Sequence, residues 1–193
     1  MREAALWNGR YASDGPHWQK SLPRQLLQKY LEHLPATGLA LDAASGVGVN
    51  GLLLARRGWR VLALDISEVG LRLGREQALK EGLGERWTTA VYDLSRPHFP
   101  PDCFDAILNL RFLERATFPA YRQALKPGGW LIFETFIRTN EETQDADYYL
   151  LPGELPAAFA DFMVVESGEI TAVGGRSGQE KRVARLVARK PDC

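Results

Sequence analysis

The segment Leu41-Asp42-Ala43-Ala44-Ser45-Gly46-Val47-Gly48-Val49-Asn50-Gly51 joins an acid, a glycine-bearing turn and the start of a helical apolar pattern. Glycine lets the backbone turn sharply and lets a ligand approach without a Cβ in the way. Amides at a helix start have no partner within the helix and are offered to polar ligand atoms. Gly46, Gly48 and Gly51 satisfy G-x-G-x-x-G, and Asp65, closing the apolar run Val61-Leu62-Ala63-Leu64, can accept both hydroxyl protons of a ribose. Taken alone, this pattern suits a nicotinamide-dependent oxidoreductase equally well. Asp42 argues against a pyrophosphate, which a carboxylate just before the turn would repel. A ligand carrying an α-ammonium group gains from it.

These residues need elements to hold them. Leu22, Leu26, Leu27, Tyr30, Leu31 and Leu34 recur at helical spacing, which predicts a helix over 22–34 closed by Pro35 and Gly38. Strands are then expected at 39–43, 60–64, 87–92, 104–110 and 130–137, with helices at 51–57, 67–80 and 118–125 between them. Ser67 is the expected cap of its helix. Strand-helix alternation calls for a parallel sheet with helices on both faces. A short helix is expected at 152–160. The strands expected at 162–170 and 182–188 are separated by the glycine-rich Gly174-Gly175-Arg176-Ser177-Gly178, with no helical pattern for a parallel crossover, so they should pair antiparallel. The fold class is therefore α/β: a Rossmann-like, doubly wound, mostly parallel seven-stranded sheet ending in an antiparallel hairpin.

The 193 residues suit one domain, 1–193, with an aromatic entry segment at 1–20 and a core at 21–193. Lys plus Arg and Asp plus Glu each count 24, so the formal net charge is zero, which disfavours a nucleic-acid partner. Cys103 and Cys193, with His17, His33 and His98 scattered singly, form no metal-ligand set. The N-terminal stretch lacks the apolar run of a leader, and nothing approaches the roughly 20 apolar residues of a membrane span. A cytoplasmic location without membrane partners is expected.

Asp42-Ala43-Ala44-Ser45-Gly46-Val47-Gly48 resembles the first motif of class I S-adenosylmethionine-dependent methyltransferases, and Asp65 resembles that family's ribose-binding acid. Asp93 occupies the place of the acid that contacts the adenine amino group. Phe104-Asp105-Ala106-Ile107-Leu108-Asn109-Leu110 is similar to the fourth motif, and Leu125-Lys126-Pro127-Gly128-Gly129-Trp130-Leu131 to the lead into the fifth strand. Ala44 departs from the glycine usual there. More finely, Trp7-Asn8-Gly9-Arg10-Tyr11, Phe112-Leu113-Glu114-Arg115, Glu134-Thr135-Phe136 and Leu150-Leu151-Pro152-Gly153-Glu154-Leu155 resemble small bacterial enzymes related to the tellurite-resistance and thiopurine methyltransferases.

The resemblance implies S-adenosylmethionine as cofactor, S-adenosylhomocysteine as product, and a site for each part of the donor. Asp42 and the turn amides from Ala44 through Ser45 and Gly46 to Gly48 would anchor the methionine end. Asp65 would hold the ribose, Ile66 would pack on the adenine, and Asp93 and Leu94 would meet its edge and face. Asn109 and Leu110 would flank the sulfonium, with Arg111 just beyond. Trp7, Tyr11 and Trp18 would form a lid, and 135–155, with Tyr148, Tyr149 and Glu154, would line the acceptor pocket. No catalytic residue is assigned, since the donor is already activated and a base is needed only for a protonated nucleophile. The fourth strand does not end in Asn-Pro-Pro-Tyr, nor is there a Pro-Cys, so a small-molecule acceptor is favoured over nucleic acid, and a protein acceptor stays open. A non-catalytic protein retaining the fold is the remaining alternative, and the oligomeric state is open.

Overall fold

The computed structural model describes residues 2–139, 147–173 and 180–192. Cys193 and the loop 174–178 lie outside the described residues, as does part of the expected acceptor lining at 135–155. The chain opens with α1 (Arg2–Gln19), broken at Asp14, whose φ of −144° and ψ of 32° leave the helical region. It continues through α2 (Gln25–Tyr30), β1 (Leu39–Ala43), α3 (Val49–Arg56), β2 (Arg60–Asp65), α4 (Glu68–Lys80), β3 (Trp87–Val91), β4 (Phe104–Leu110) and α5 (Thr117–Ala124). β5 (Leu125–Phe136), α6 (Glu154–Ala158), β6 (Met163–Val173) and β7 (Glu180–Arg189) complete it.

The seven strands form one sheet in the order β3-β2-β1-β4-β5-β7-β6. β1 pairs in parallel with both β2 and β4, and β5 pairs in parallel with β4. β7 then runs antiparallel between β5 and β6, and its pairing with β6 is the one expected of the last two strands. Apolar residues cover both faces. Leu26, Leu27, Leu52, Trp59, Leu71 and Trp87 pack on one side. Phe118, Tyr121, Phe133, Leu155 and Phe159 pack on the other. Strand order reverses between β1 and β4, so their carboxyl ends bound the crevice where ligands of such sheets bind.

Two local expectations need correction. The helix expected at 22–34 is only α2, tightening into a 3₁₀ turn at Leu31–His33. Its start is set from afar: Arg24 N donates to Asn50 Oδ1 at 2.9 Å, and Leu22, counted toward the apolar stripe, is 81% exposed. The strand expected from Trp130 begins at Leu125, because Leu125 already pairs with Phe104 and a register shift between Phe104 and Ala106 absorbs the extra residues. The entry segment is helical despite Gly9, Gly15 and Pro16, for a reason that lies in what it packs against.

Candidate active site

β1 delivers Asp42 to the sheet's carboxyl edge, and the chain then turns through Ala44 (φ 52°), Gly46 (φ 56°) and Gly48 (φ 77°) into α3. Left-handed backbone is costly for a residue with a Cβ, so Ala44 holds a strained conformation that glycine would relieve. A Cβ on Gly48 would lie 2.3 Å from Trp87 Cζ2. That glycine serves helix-sheet packing rather than ligand approach. α3 has no side-chain cap of its own; instead Asp42 Oδ2 accepts from Gly51 N at 3.0 Å. Asp65, ending β2, accepts from Gly46 N at 2.7 Å and Ser67 N at 2.8 Å, tying the first turn to the start of α4.

Both carboxyls are buried, at 1% exposure for Asp42 and 6% for Asp65. Burial pushes Asp42 up to about 7, against the bond from Gly51, with the charge of Asp65 adding to the rise. Burial also raises Asp65, and the amides of Ser67 and Gly46 oppose it. Asp42 feels the charge of Asp65, which ends the adjacent strand. Their neighbour Ser45 has its Oγ buried without a hydrogen-bond partner among the described residues. A pair of buried carboxyls beside an unmet hydroxyl fits a ligand that brings a cation and several polar groups.

α1 lies over this edge, against α4. Asn8 Oδ1 accepts from Ser67 Oγ at 2.7 Å and from Val69 N at 3.2 Å, while Ser67 Oγ accepts from Gly70 N at 3.1 Å as the α4 cap. Gln19 Nε2 reaches Leu73 O at 3.2 Å farther along α4. Tyr11 is buried, stacks with Trp7 and meets Trp18 edge-on. A Cβ on Gly46 would lie 2.4 Å from Tyr11 Oη, which places that hydroxyl directly over the glycine turn. Burial and the nearby Asp65 and Asp42 all raise its pKa. These contacts explain why a segment of poor intrinsic helicity is helical.

Farther along the edge, Ile66 is half-buried and Leu94 is buried, while Asp93 is exposed and accepts from Ser95 N at 2.9 Å, with that bond holding its carboxyl low. Asn109 is wholly buried: its Nδ2 donates to Phe112 O at 2.8 Å and its Oδ1 accepts from Tyr121 Oη at 3.0 Å. Its amide thus braces the loop after β4. Leu110 is buried beside it. Arg111 takes a left-handed φ of 73°, and its Nε donates to Glu134 Oε1 at 2.9 Å. Tyr149 lies 6.3 Å from the Phe136 ring and Tyr148 is exposed, while Arg115 clamps their segment through Glu154 Oε2 at 2.8 Å and Tyr149 O at 3.2 Å. Asn8, Glu134, Arg115 and Arg185 were not singled out from the sequence as site residues. Asn8, Arg115 and Glu134 stand within segments that carry the finer resemblance, and Glu134 is also an acid inside the apolar run Leu131-Ile132-Phe133-Glu134-Thr135-Phe136, whereas Arg185 carried no such signal.

Residues 40–129 match a family described as a methyltransferase domain. The chain is 36% identical over 121 residues to the ubiquinone/menaquinone biosynthesis C-methyltransferase UbiE of Methylococcus capsulatus, covering 58% of this chain and 48% of that one. The chain spans about half the length of the curated relatives it matches. A solved S-adenosylmethionine-dependent methyltransferase of Methanosarcina mazei superposes with a TM-score of 0.70 at 20% identity, covering 89% of this chain and 99% of that one. TehB of Haemophilus influenzae superposes with a TM-score of 0.73 at 19% identity, covering 86% and 61%; at such identities the likeness is one of fold. The nicotinamide alternative loses its support, because dinucleotide folds run 3-2-1-4-5-6 whereas here an antiparallel β7 separates β5 from β6. With two acids, a glycine turn and this strand order in place, residues 40–129 are similar to a methyltransferase domain, and they sit in a sheet that shares the fold of the solved S-adenosylmethionine-dependent methyltransferase.

Proposed function

We propose that this protein transfers a methyl group from S-adenosylmethionine to a small-molecule acceptor, with residues 1–193 acting as one unit and α1 as its lid. The observation that carries the reading is the pair of buried carboxyls at neighbouring strand ends, Asp42 and Asp65, around a turn whose Ser45 hydroxyl is unmet among the described residues. When bound, the donor supplies a methyl group already activated on a positively charged sulfur. Asp42 meets the α-ammonium, whose charge draws the carboxyl back to its ionised form. Asp65 keeps its two amide bonds and accepts from the ribose hydroxyls with its remaining lone pairs. Ile66 and Leu94 form apolar walls for the adenine, and Asp93 stands at its edge. Asn109, through Phe112 O, shapes the loop carrying Leu110 and Arg111. Trp7, Tyr11 and Trp18 keep water from the turn. Holding donor and acceptor in line can lower a barrier by roughly 7–11 kcal/mol, so the reaction needs no base unless the acceptor arrives protonated.

Two relatives named for ubiquinone and menaquinone biosynthesis support a small acceptor, while one named for methylation of ribosomal protein L11 favours a protein acceptor instead. The balanced charge supports a small acceptor over nucleic acid, since phosphate-backbone binding needs a basic excess. Among the described residues no helix is long and apolar enough to cross a membrane. Calorimetry with S-adenosylhomocysteine tests the donor site directly. Saturable binding that collapses in Asp65→Ala supports the reading, and absence of heat with the intact protein ends it.

A further inference from the structure

Glu134 is a carboxylate near the carboxyl end of β5, paired with Leu110 at the end of β4 and 1% exposed. It is held from both sides: Arg111 Nε donates to Oε1 at 2.9 Å and Arg185 Nε to Oε2 at 2.6 Å. One carboxylate therefore answers two guanidiniums whose side chains are only 11% and 15% exposed. The Phe136 ring next along the same strand face carries two cations, Arg111 at 4.9 Å and Lys181 Nζ at 4.9 Å from its centre. Arg24, from the start of α2, is near enough to repel Arg111 as well.

The cluster is unbalanced in hydrogen bonds too. Arg111 Nη1 is buried with no partner among the described residues. A charged donor left unmet in that way costs more than the roughly 1–3 kcal/mol of a neutral one. Burial, helped by Arg24 and Arg185, lowers the pKa of Arg111 while Glu134 opposes the shift. Arg111 also keeps a left-handed backbone, a strained conformation of a kind that gathers at functional sites. An internal ion pair alone would not call for the unmet donor, and Arg111, Arg185 and Arg24 face two acids, Glu134 and, beside Arg185, Glu166.

The position gives the surplus a use. β4 pairs Asn109 with Ala43, the residue after Asp42, so Arg111 lies two residues beyond the proposed donor site on the same carboxyl edge. We infer that the methyl acceptor carries an oxyanion, carboxylate or phosphate, which is bound by Arg111 together with Arg185 and Lys181. This inference rests on the methyltransferase reading. The anion would satisfy Arg111 Nη1 and offset the charge that Glu134 and Glu166 leave uncompensated, and the guanidinium's planar fork suits either oxyanion. Such an acceptor is fixed by its anionic end while its nucleophile faces the donor.

The test titrates the full-length protein, with and without S-adenosylhomocysteine, with benzoate, inorganic phosphate and neutral benzamide, followed by calorimetry and ligand-observed NMR. The expected result is saturable binding of at least one oxyanion and none of benzamide; which anion binds tells carboxylate from phosphate. Arg111→Met and Lys181→Met should each weaken that binding about tenfold or more. Lys181→Met guards against misfolding, since its thermal unfolding and S-adenosylhomocysteine affinity should match those of the parent. If S-adenosylhomocysteine binds but neither oxyanion does, or if oxyanion binding survives both substitutions, the inference is overturned and the donor reading stands. If the oxyanion binds but S-adenosylhomocysteine does not, both fall.

Discussion

Replacing Asp42 by Asn removes one ionisable group and keeps an oxygen to accept from Gly51 N. The buried carboxyl titrates near 7 in the folded protein against an ordinary value of 3.8. A folded-state pKa above the unfolded one means that the folded state binds more protons between those values, so stability falls as pH rises through that window. The gap corresponds to about 4 kcal/mol at full ionisation, at about 1.4 kcal/mol per pH unit. Asp42→Asn lacks this loss. Relative to the parent, it should be no more stable near pH 4 and more stable by up to about 4 kcal/mol at pH 8, as read from urea midpoints across the range. Donor binding should move the other way. Losing a charged hydrogen bond to the α-ammonium, worth about 1.5–3 kcal/mol, weakens S-adenosylhomocysteine binding by roughly 10- to 150-fold at pH 8. Methylthioadenosine, which has no amino-acid end, should bind the parent and Asp42→Asn alike. A stability difference that stays flat from pH 4 to 8, or an unchanged affinity for S-adenosylhomocysteine, refutes the reasoning: the carboxyl would then be neither strained by burial nor in contact with the ammonium.

Other substitutions separate the parts of the site. Gly48→Ala puts a Cβ 2.3 Å from the buried Trp87 ring at a φ of 77°, so overpacking and left-handed strain together should destabilise the fold by about 2–5 kcal/mol, measurable by chemical denaturation. Ala44→Gly, at φ 52°, should be tolerated within about 1 kcal/mol, and a loss as large as that of Gly48→Ala would contradict the geometry. Asn8→Ala removes the acceptor of Ser67 Oγ and Val69 N, so α1 should be cut faster by limited proteolysis while the urea midpoint changes little. Glu134→Gln leaves two buried guanidiniums without their counter-charge and should cost about 3–5 kcal/mol, seen as a lowered melting temperature.

What the sequence determined by itself was everything carried by local rules. Strand-helix alternation, Ser67 as a cap, the turn after Asp42 and the lack of a helical sequence pattern before the last strand each depend on neighbours a few residues apart, and so they placed both acids at adjacent strand ends. The tertiary structure decided the rest, because the forces involved act between residues far apart in the chain. Asn8 reaches Ser67 and turns a glycine- and proline-containing entry segment into a helix over the site. Asn50 sets the start of α2 and overrules the apolar stripe that began at Leu22. Trp87, brought under the first turn by the β2–β3 pairing, makes Gly48 a packing residue. Asn109 turns to Tyr121 and Phe112 because a wholly buried amide must find partners wherever the fold supplies them. Glu134 could be read as unusual in its strand, yet only the antiparallel entry of β7 beside β5 brings Arg185 to it and creates the cationic cluster.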